Sequence, residues 1–426
     1  MSTVSHWPLF PVETADAGTK TRWEGGILTI DLEEIADLAA SESGVSSVSA
    51  AIVRPAEPVR LIHVTDVVLP AAEVEDPGLT FPGVLNRSNA PPAYQHRLGG
   101  LAVTGLVDFS ASHDFSGLGE APDVDSLLDM AGPGAEITPV AQLIHLVLTF
   151  ELNGKSSLAD ADLGFRCGCL RAARYLAETT IAAKPTSRIA TAKSDAPSGR
   201  VLADLPRIAA LIHIGAEGLL LDTYLYGRSL NGSDPLYITA AELMGGAVTN
   251  GAYDYAGLRN TTFGYQSGGV VRELLAADGV RLNFRGVVLT RAYLQTTEEK
   301  RRSSRMAAEL IKELGADGVV ITTFQSGNSQ TELMYSIQEC ERLGIATTAV
   351  IAESDGGLTD EVAEADCLIS SGNEDEMIAA WKPKTVLGGE TLEQGRSAFD
   401  SGPIPVCCYL GAASQLGDTR LQAVTW

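Results

Sequence analysis

Polar side chains gather just past three apolar runs in the last third of the chain. Gln325, Asn328 and Ser329 follow the run 317–323, Glu353 and Asp355 follow 345–351, and Asn373 follows 367–370. Amides, hydroxyls and carboxylates of this kind hold a small polar substrate and move protons on it. In open α/β sheets ligands sit at the carboxyl ends of strands, where these loops fall, so three neighbouring strand ends are expected to form one crevice. A helix beginning at Ser329 adds unpaired N–H groups able to hold a carboxylate. Gly, Ser and Asn are also what βα turns need, so turn chemistry alone explains the same loops.

Other reactive residue types are less suggestive. The cysteines are Cys167, Cys169, Cys340, Cys367, Cys407 and Cys408, which is no disulfide framework for a chain this long and fits a reducing compartment. Cys167 and Cys169 fall inside a predicted helix, where residues two apart point to different sides. Cys407 and Cys408 fall in a predicted strand, where neighbours face opposite ways. Buried structural cysteine is the expectation for both pairs, and no metal site is expected. His145 and His213 sit in apolar runs and read as hydrogen-bonded core residues. His96 and His113 lie in polar segments, freer to touch substrate. The dinucleotide fingerprint, the Walker A sequence, His-Glu-x-x-His, Cys-x-x-Cys and the Gly-x-Ser-x-Gly elbow are all absent, so nicotinamide, ATP, zinc-protease and serine-hydrolase readings have no direct support.

Charge narrows the partners. Lys plus Arg number 31 against 54 Asp plus Glu, a net of -23. Such a surface disfavours nucleic acid and anionic membranes, which need a positive face. With no signal-peptide pattern and no apolar run of membrane-spanning length, the reading is cytoplasmic.

The elements that must position these groups form an α/β chain of 426 residues, long enough for more than one core. The first third reads as β-rich: strands over 26–30, 45–52, 59–69 and 101–108, a helix over 32–40, and a loop over 77–92. Residues 131–136 read as a tight turn and 143–152 as a strand. A helix over 157–180 puts Leu163, Leu170, Ala173 and Leu176 on one face. Residues 184–200 read as a polar loop. Strands are expected over 208–214 and 282–290. Then Thr296 and Glu299 form a capping box for a helix over 297–314, striped by Met306, Leu310, Ile311 and Leu314 and closed by Gly315. Strands at 317–322, 345–351 and 367–370, with a helix from Ser329 between the first two, imply right-handed crossovers and a Rossmann-like parallel sheet. The division expected is a β-rich N-terminal domain (1–125), a mixed α/β middle region (126–245) and a Rossmann-like domain (246–426).

Several blocks in order make the chain similar to a known family. They are Phe81-Pro82-Gly83, Gly132-Pro133-Gly134-Ala135-Glu136, Leu221-Asp222-Thr223-Tyr224, Asn283-Phe284-Arg285-Gly286, Arg302-Ser303-Ser304, Gly315-Ala316-Asp317-Gly318 and Gly327-Asn328. The chain resembles the precursor of the α and β subunits of glycine/sarcosine/betaine reductase component B, with the D-proline reductase precursor a more distant relative. That resemblance implies a precursor that cleaves itself before a cysteine, which becomes a pyruvoyl electron sink. It also implies a γ-subunit-like partner whose reactive cysteine or selenocysteine takes the carbon fragment. The matching stretch, 249–260, contains no cysteine; ungapped placement puts Gly257 at that position, and a shifted register offers Tyr253-Asp254 instead. Glycine cannot become a pyruvoyl group, so an intact chain is expected, with Asn250, Tyr253, Asp254, Arg259 and Asn260 as polar candidates lining the loop. The function expected is a substrate-handling subunit that cleaves a C–N or C–S bond of a small polar molecule without a pyruvoyl cofactor. Two alternatives stand beside it: desulfurisation or hydrolysis of a thio-heterocycle, and a non-catalytic scaffold for the partner.

Overall fold

Runs of β-branched and apolar residues, broken by Gly and Pro, fold the first 150 residues around sheets. The computed structural model describes residues 5–74, 85, 94–113, 126–185, 187–191, 204–324, 328–354, 365–389, 397–398, 402–417 and 422–424. The 77–92 loop, with Phe81-Pro82-Gly83, therefore lies almost wholly outside them. Helix α1 (Leu32–Ala40) begins where the Asp31 carboxylate accepts the Glu34 N–H, and it buries Ile35 and Ala39. Strands β1 (Val45–Val53), β2 (Val59–Ile62) and β3 (Val64–Val68) follow. One strand was expected over 59–69. The chain breaks it at His63, which is left-handed at φ 55, and sends β2 and β3 into different sheets.

Next come β4 (Leu101–Val107), β5 (Leu127–Asp129), α2 (Pro133–Ile137), β6 (Ile144–Leu152) and α3 (Leu158–Glu178). The sheet order is β1-β6-β4-β3, with only β4 and β6 parallel. Helix α3 starts at the Ser157 cap and packs Phe165, Cys169, Leu170, Ala173 and Leu176 against this sheet. Leu163 is not on that face and is 36% exposed. The tight turn expected at 131–136 is mostly the short helix α2, with Pro133 at its first position. Within the 184–200 stretch, Ser187–Thr191 is a strand, paired with Ser5–Pro11.

A buried ion pair pins α2. Arg60 on β2 donates through Nε and Nη2 to Asp129 on β5 at 2.6 and 2.8 Å, and both side chains are sealed from solvent. Trp381 lies 5.7 Å from the guanidinium. A Cβ on Gly134 would fall on the Tyr409 ring and 2.7 Å from Asp129 Oδ2, so the Gly-Pro-Gly block is set by close approach.

The C-terminal half is built on a seven-stranded, mostly parallel sheet. Its elements begin with β7 (Arg207–Gly215), β8 (Leu221–Leu225), β9 (Leu236–Ile238) and β10 (Val248–Ala252). Then come α4 (Thr262–Ser267), α5 (Gly269–Ala277), β11 (Asn283–Ala292), α6 (Thr297–Glu313) and β12 (Gly318–Thr322). Last are α7 (Asn328–Arg342), β13 (Ala346–Glu353), β14 (Cys367–Asn373) and β15 (Gln422–Val424). The order is β9-β11-β7-β12-β13-β14-β15. The inner five strands are parallel and the two edges antiparallel. Helices α6 and α7 cover one face and α5 the other, as strands buried on both sides require. Strand β8 pairs with β10 outside this sheet. The Thr296–Glu299 capping box forms, and Gly315 closes α6 at φ 71. Helix α6 buries Ser303, Ser304, Ala307, Ala308 and Ile311, whereas Met306, Leu310 and Leu314 stay half-buried. Short side chains let α7 approach, close enough for Ser336 to donate to Ser304 at 3.2 Å.

Truncating Asp129 to Ala strands the buried Arg60 charge and is expected to lower stability by about 3–5 kcal/mol. The apolar pair Arg60→Met/Asp129→Leu is expected to recover most of that. Equilibrium urea denaturation of the full chain checks the order of the three proteins, and a double variant as weak as the single one would contradict it.

Candidate functional site

The carboxyl ends of the parallel strands meet the end of β10. Ala252, Ala292 and Phe324 form one apolar cluster with Tyr293, and a Cβ on Gly215 would stand 2.6 Å from the Phe324 ring. The crevice expected along this edge is filled by the chain itself. Ser371 Oγ donates to Ala413 O at 2.8 Å and to Ile351 O at 3.1 Å. The Gln415 amide donates to Thr323 O at 2.6 Å and accepts from Ala352 N at 3.1 Å. Gly411 N and Ala413 N donate to Ala256 O and Gly257 O, each at 2.8 Å. Segment 406–417 is thus clamped between the strand ends and the 248–262 segment, and it satisfies backbone groups that an open crevice would leave to water. Cys407 and Cys408 belong to it, and they lie in the 3-10 turn Val406–Cys408 rather than a strand.

The strand-end candidates separate. Asn328 is exposed, and its Oδ1 accepts from Lys300 Nζ at 3.0 Å. Lys300 also meets Glu332 Oε1 at 2.5 Å, and Glu332 accepts the Leu294 N–H at 2.8 Å. This buried pair therefore ties the loop before α6 to the start of α7. Ser329 is buried in the first turn of α7. Glu353 and Asn373 are register partners across β13 and β14, with Asn373 Oδ1 accepting the Asp375 N–H at 2.9 Å. Gln325 and Asp355 lie outside the described residues. His213 and His145 are core residues: His213 Nε2 meets Ser336 Oγ at 3.1 Å, and His145 lies between Thr104 and Val140. Burial holds their imidazoles down at about 3 and about 4. His96 and His113 are not free for substrate as expected. His96 bonds Thr180, and His113 bonds Ser112 and Ser156, because their polar stretches are packed on other elements.

The 249–260 candidates are drawn together, but most of them serve the fold. Arg259 Nη1 donates to Val64 O at 2.7 Å, and Nη2 to Tyr253 O at 2.6 Å. Asp254 accepts the Tyr255 N–H at 2.9 Å. Tyr255 itself is left-handed at φ 36 and 45% exposed, a strained aromatic on the loop surface. Tyr253 stacks on Phe109, with centroids 5.7 Å apart, and joins the N-terminal core. Asn250 Oδ1 accepts the Ala252 N–H at 2.9 Å and Asn260 Oδ1 accepts from Ser414 Oγ at 3.1 Å. At Gly257 a Cβ would lie 2.7 Å from Cys407 Cα and 2.8 Å from Val406 O. Both are backbone atoms, so no side chain fits there without moving the 406–417 segment.

Sequence reasoning missed the ionisable groups around this loop. Asp66, on β3, accepts the Thr262 N–H at 2.8 Å, the Thr262 hydroxyl at 2.6 Å and the Val67 N–H at 2.9 Å. Burial drives its carboxyl up to about 7, against the pull of those hydrogen bonds and of Arg166. Arg166 on α3 pairs with Asp162, reaches the Tyr253 hydroxyl at 3.4 Å and lies 3.8 Å over the Tyr224 ring. Burial opposes its charge, and Asp162 and the tyrosines outweigh burial. The signal available was one acid inside the apolar run Val64-Thr65-Asp66-Val67-Val68 and an Asp–Arg pair four apart on a buried helix face. Among the described residues no group of three or more His, Cys, Asp or Glu is placed to hold a metal ion. No described helix is long and apolar enough to cross a membrane.

The folded carboxyl of Asp66 sits above its unfolded value of 3.8, so the native state holds the extra proton between about pH 4 and 7. Its stabilising contribution is complete below pH 4 and is lost as pH rises through about 7, at about 1.4 kcal/mol per pH unit. Asp66→Asn removes that dependence. The melting temperature of the variant minus that of the parent is expected to climb from pH 5 to pH 7 and then level. A difference independent of pH would refute the raised carboxyl.

The family described as glycine/sarcosine/betaine reductase component B subunits matches residues 7–402. The chain is 28% identical over 430 residues to the glycine reductase complex component B subunits alpha and beta of Acetoanaerobium sticklandii, covering 96% of each chain. It is 29% identical over 373 residues to the sarcosine reductase complex component B subunit alpha of Peptoclostridium acidaminophilum, covering 85% of this chain and 83% of that one. It is 26% identical over 409 residues to the betaine reductase complex component B subunit alpha of the same organism, covering 92% and 89%. No solved structure matches at a significant level. A family match that spans residues 7–402 is specific: the chain belongs to the glycine/sarcosine/betaine reductase component B family.

Proposed function

We propose that this chain is the substrate-handling subunit of a two-component reductase-like enzyme. It holds a small polar substrate against the 248–262 segment for a γ-subunit-like partner carrying a reactive cysteine or selenocysteine. The partner's thiolate or selenolate attacks the substrate carbon, forming a new C–S or C–Se bond. The C–N or C–S bond of the substrate breaks, its electron pair leaves on the heteroatom, and Asp66 supplies the proton. The reading is supported by family membership and by relatives named as parts of reductase complexes. The observation that carries it is Asp66, buried yet poised at about 7 and bonded to Thr262 beside the loop, where a carboxyl can give and take protons at neutral pH. Strand order adds support. Counted along the chain the parallel strands run 2-1-3-4-5 from β11 to β14. That is a Rossmann-like, doubly wound order whose switch point lies between β7 and β12, under the same loop.

The reaction proceeds without a pyruvoyl group in this reading. Such a group does not fit at Gly257, which has no side chain to convert and backbone atoms at 2.7 and 2.8 Å where a Cβ would stand. The chain is therefore expected to stay whole. Intact-mass spectrometry of the chain purified with its partner should give one full-length species. Two fragments split near Gly257 would restore the self-cleaving mechanism.

Asp66→Asn in the complex is expected to lower kcat about 100-fold with little change in KM and to remove the limb of the pH profile near 7. A non-catalytic scaffold would leave both unchanged.

A further inference from the structure

Helix α3 carries a buried charge that packing alone does not explain. Arg166 is 1% exposed, and its counter-ion is Asp162, one helical turn earlier. The pair is incompletely bonded: Arg166 Nη1 and Asp162 Oδ1 have no hydrogen-bond partner. Buried pairs of this kind contribute little stability that apolar side chains of the same size would not.

The sheet places Asp66 under the same stretch of helix. Asp66 lies opposite Gly105 in the β3–β4 register, so the two positions point to one face. A Cβ on Gly105 would stand 2.6 Å from the Phe165 ring and 2.6 Å from Cys169 Sγ. Helix α3 therefore presses on the sheet at the level of Asp66, and Arg166 follows Phe165 directly. From there Arg166 Nε reaches the Tyr253 hydroxyl at 3.4 Å, and its guanidinium lies 3.8 Å over the Tyr224 ring. Tyr253 follows β10, whose Asn250 N–H donates to the same Thr262 hydroxyl that bonds Asp66. The contacts thus run in a ring from Asp66 through Thr262, β10 and Tyr253 to Arg166 on α3.

The groups around Asp66 divide by charge. Helix α3 brings Arg166, Asp162 and the Cys169 thiol, the 248–262 segment brings Tyr253, and α4 brings Tyr265. Arg259 directs its guanidinium to the carbonyls of Val64 and Tyr253. Asp222 and Tyr224 on β8 lie on the far side of Arg166. Burial pushes the Cys169 thiol and the Tyr253 and Tyr265 phenols up, so all three stay neutral near pH 7. Burial likewise raises the Asp66 carboxyl, and beside its hydrogen bonds the charge of Arg166 is what opposes that rise.

We propose that Arg166 is a positioning residue for Asp66: Asp162 and Tyr253 hold its buried charge beside the acid, where it eases release of the proton that Asp66 passes to the substrate. This rests on the function proposed above and names the residue that tunes its acid. Without the cation Asp66 keeps its proton to higher pH and is a weaker donor.

The test reads Asp66 directly, in the full chain. The melting temperature of Asp66→Asn minus that of its parent is followed against pH in three backgrounds: native, Arg166→Lys and Arg166→Gln. The extra proton of folded Asp66 stabilises fully below about pH 4 and is lost as pH rises through the folded value, so the difference climbs to that value and then levels. Levelling is expected near pH 7 in the native and Arg166→Lys backgrounds. With Arg166→Gln it is expected about one pH unit higher, the low end of what a neighbouring opposite charge gives. The double change Asp162→Asn/Arg166→Gln leaves no buried charge unpaired and is expected to show the same rise. It decides the matter if the single variant does not fold. A pair that only packs α3 would lower every melting temperature and leave the levelling point near pH 7, and that outcome overturns the proposal. So does an equal rise with Arg166→Lys. The falling limb of the kcat profile of the complex is expected to move with the levelling point. A levelling point that moves in a complex with no activity would sink the proposed function and leave the positioning role standing. One that stays put in an active complex would sink the positioning role alone.

Discussion

The contact between Asp66 and Thr262 is the joint on which the molecule depends. A carboxylate on an N-terminal strand accepts both the backbone N–H and the hydroxyl of a residue nearly two hundred positions later. That hydroxyl in turn accepts the Asn250 N–H at 2.9 Å. One buried acid thus positions the end of β10 and the start of α4 together. Arg259 reinforces it from the same segment, donating to the carbonyl of Val64, the first residue of β3. Polar groups this deep are costly unless bonded, so these bonds tie the two segments together. The same burial that makes the joint specific raises the Asp66 carboxyl to about 7.

Around this joint the chain closes its own sheet edge. Parallel strands end in carbonyls and side chains that ordinarily face water or ligand. Segment 406–417 takes that place, bonding to the ends of β12, β13 and β14 on one side and to Ala256 and Gly257 on the other. Its fit demands a residue without a side chain at 257. Gly257 is therefore a packing contact.

A second buried polar seam lies between α6, α7 and β7. Lys300, Glu332, Ser304, Ser336 and His213 are all enclosed, and Lys300 and Glu332 reach both Asn328 and Leu294. These helices are therefore held by directional bonds as well as by Ala307, Ala308, Ile311 and Ile337. Directional bonds fix the loops at the carboxyl edge more sharply than apolar packing alone.

Local information was written plainly in the sequence. Capping boxes, strand runs and the crossover helices depend on neighbours within a few residues, so Thr296, Glu299 and Gly315 could be read directly, as could every parallel strand of the second half. The family was legible because its blocks stand in order along the chain. The misreadings have a common source. His63 breaks a strand, whereas α2 coils a turn and Cys407 and Cys408 sit in a 3-10 turn where distant partners, Tyr409 and Trp381 for α2 and Gly257 for Cys407, pack against those backbones. The candidate site divides the same way: the sequence pointed to the 249–260 loop, while Asp66 and Arg166 came from elements far from it. Spacing along a chain reports residues that share a turn or a strand. Which buried acid faces which amide depends on how the halves close, and only the tertiary structure decides that.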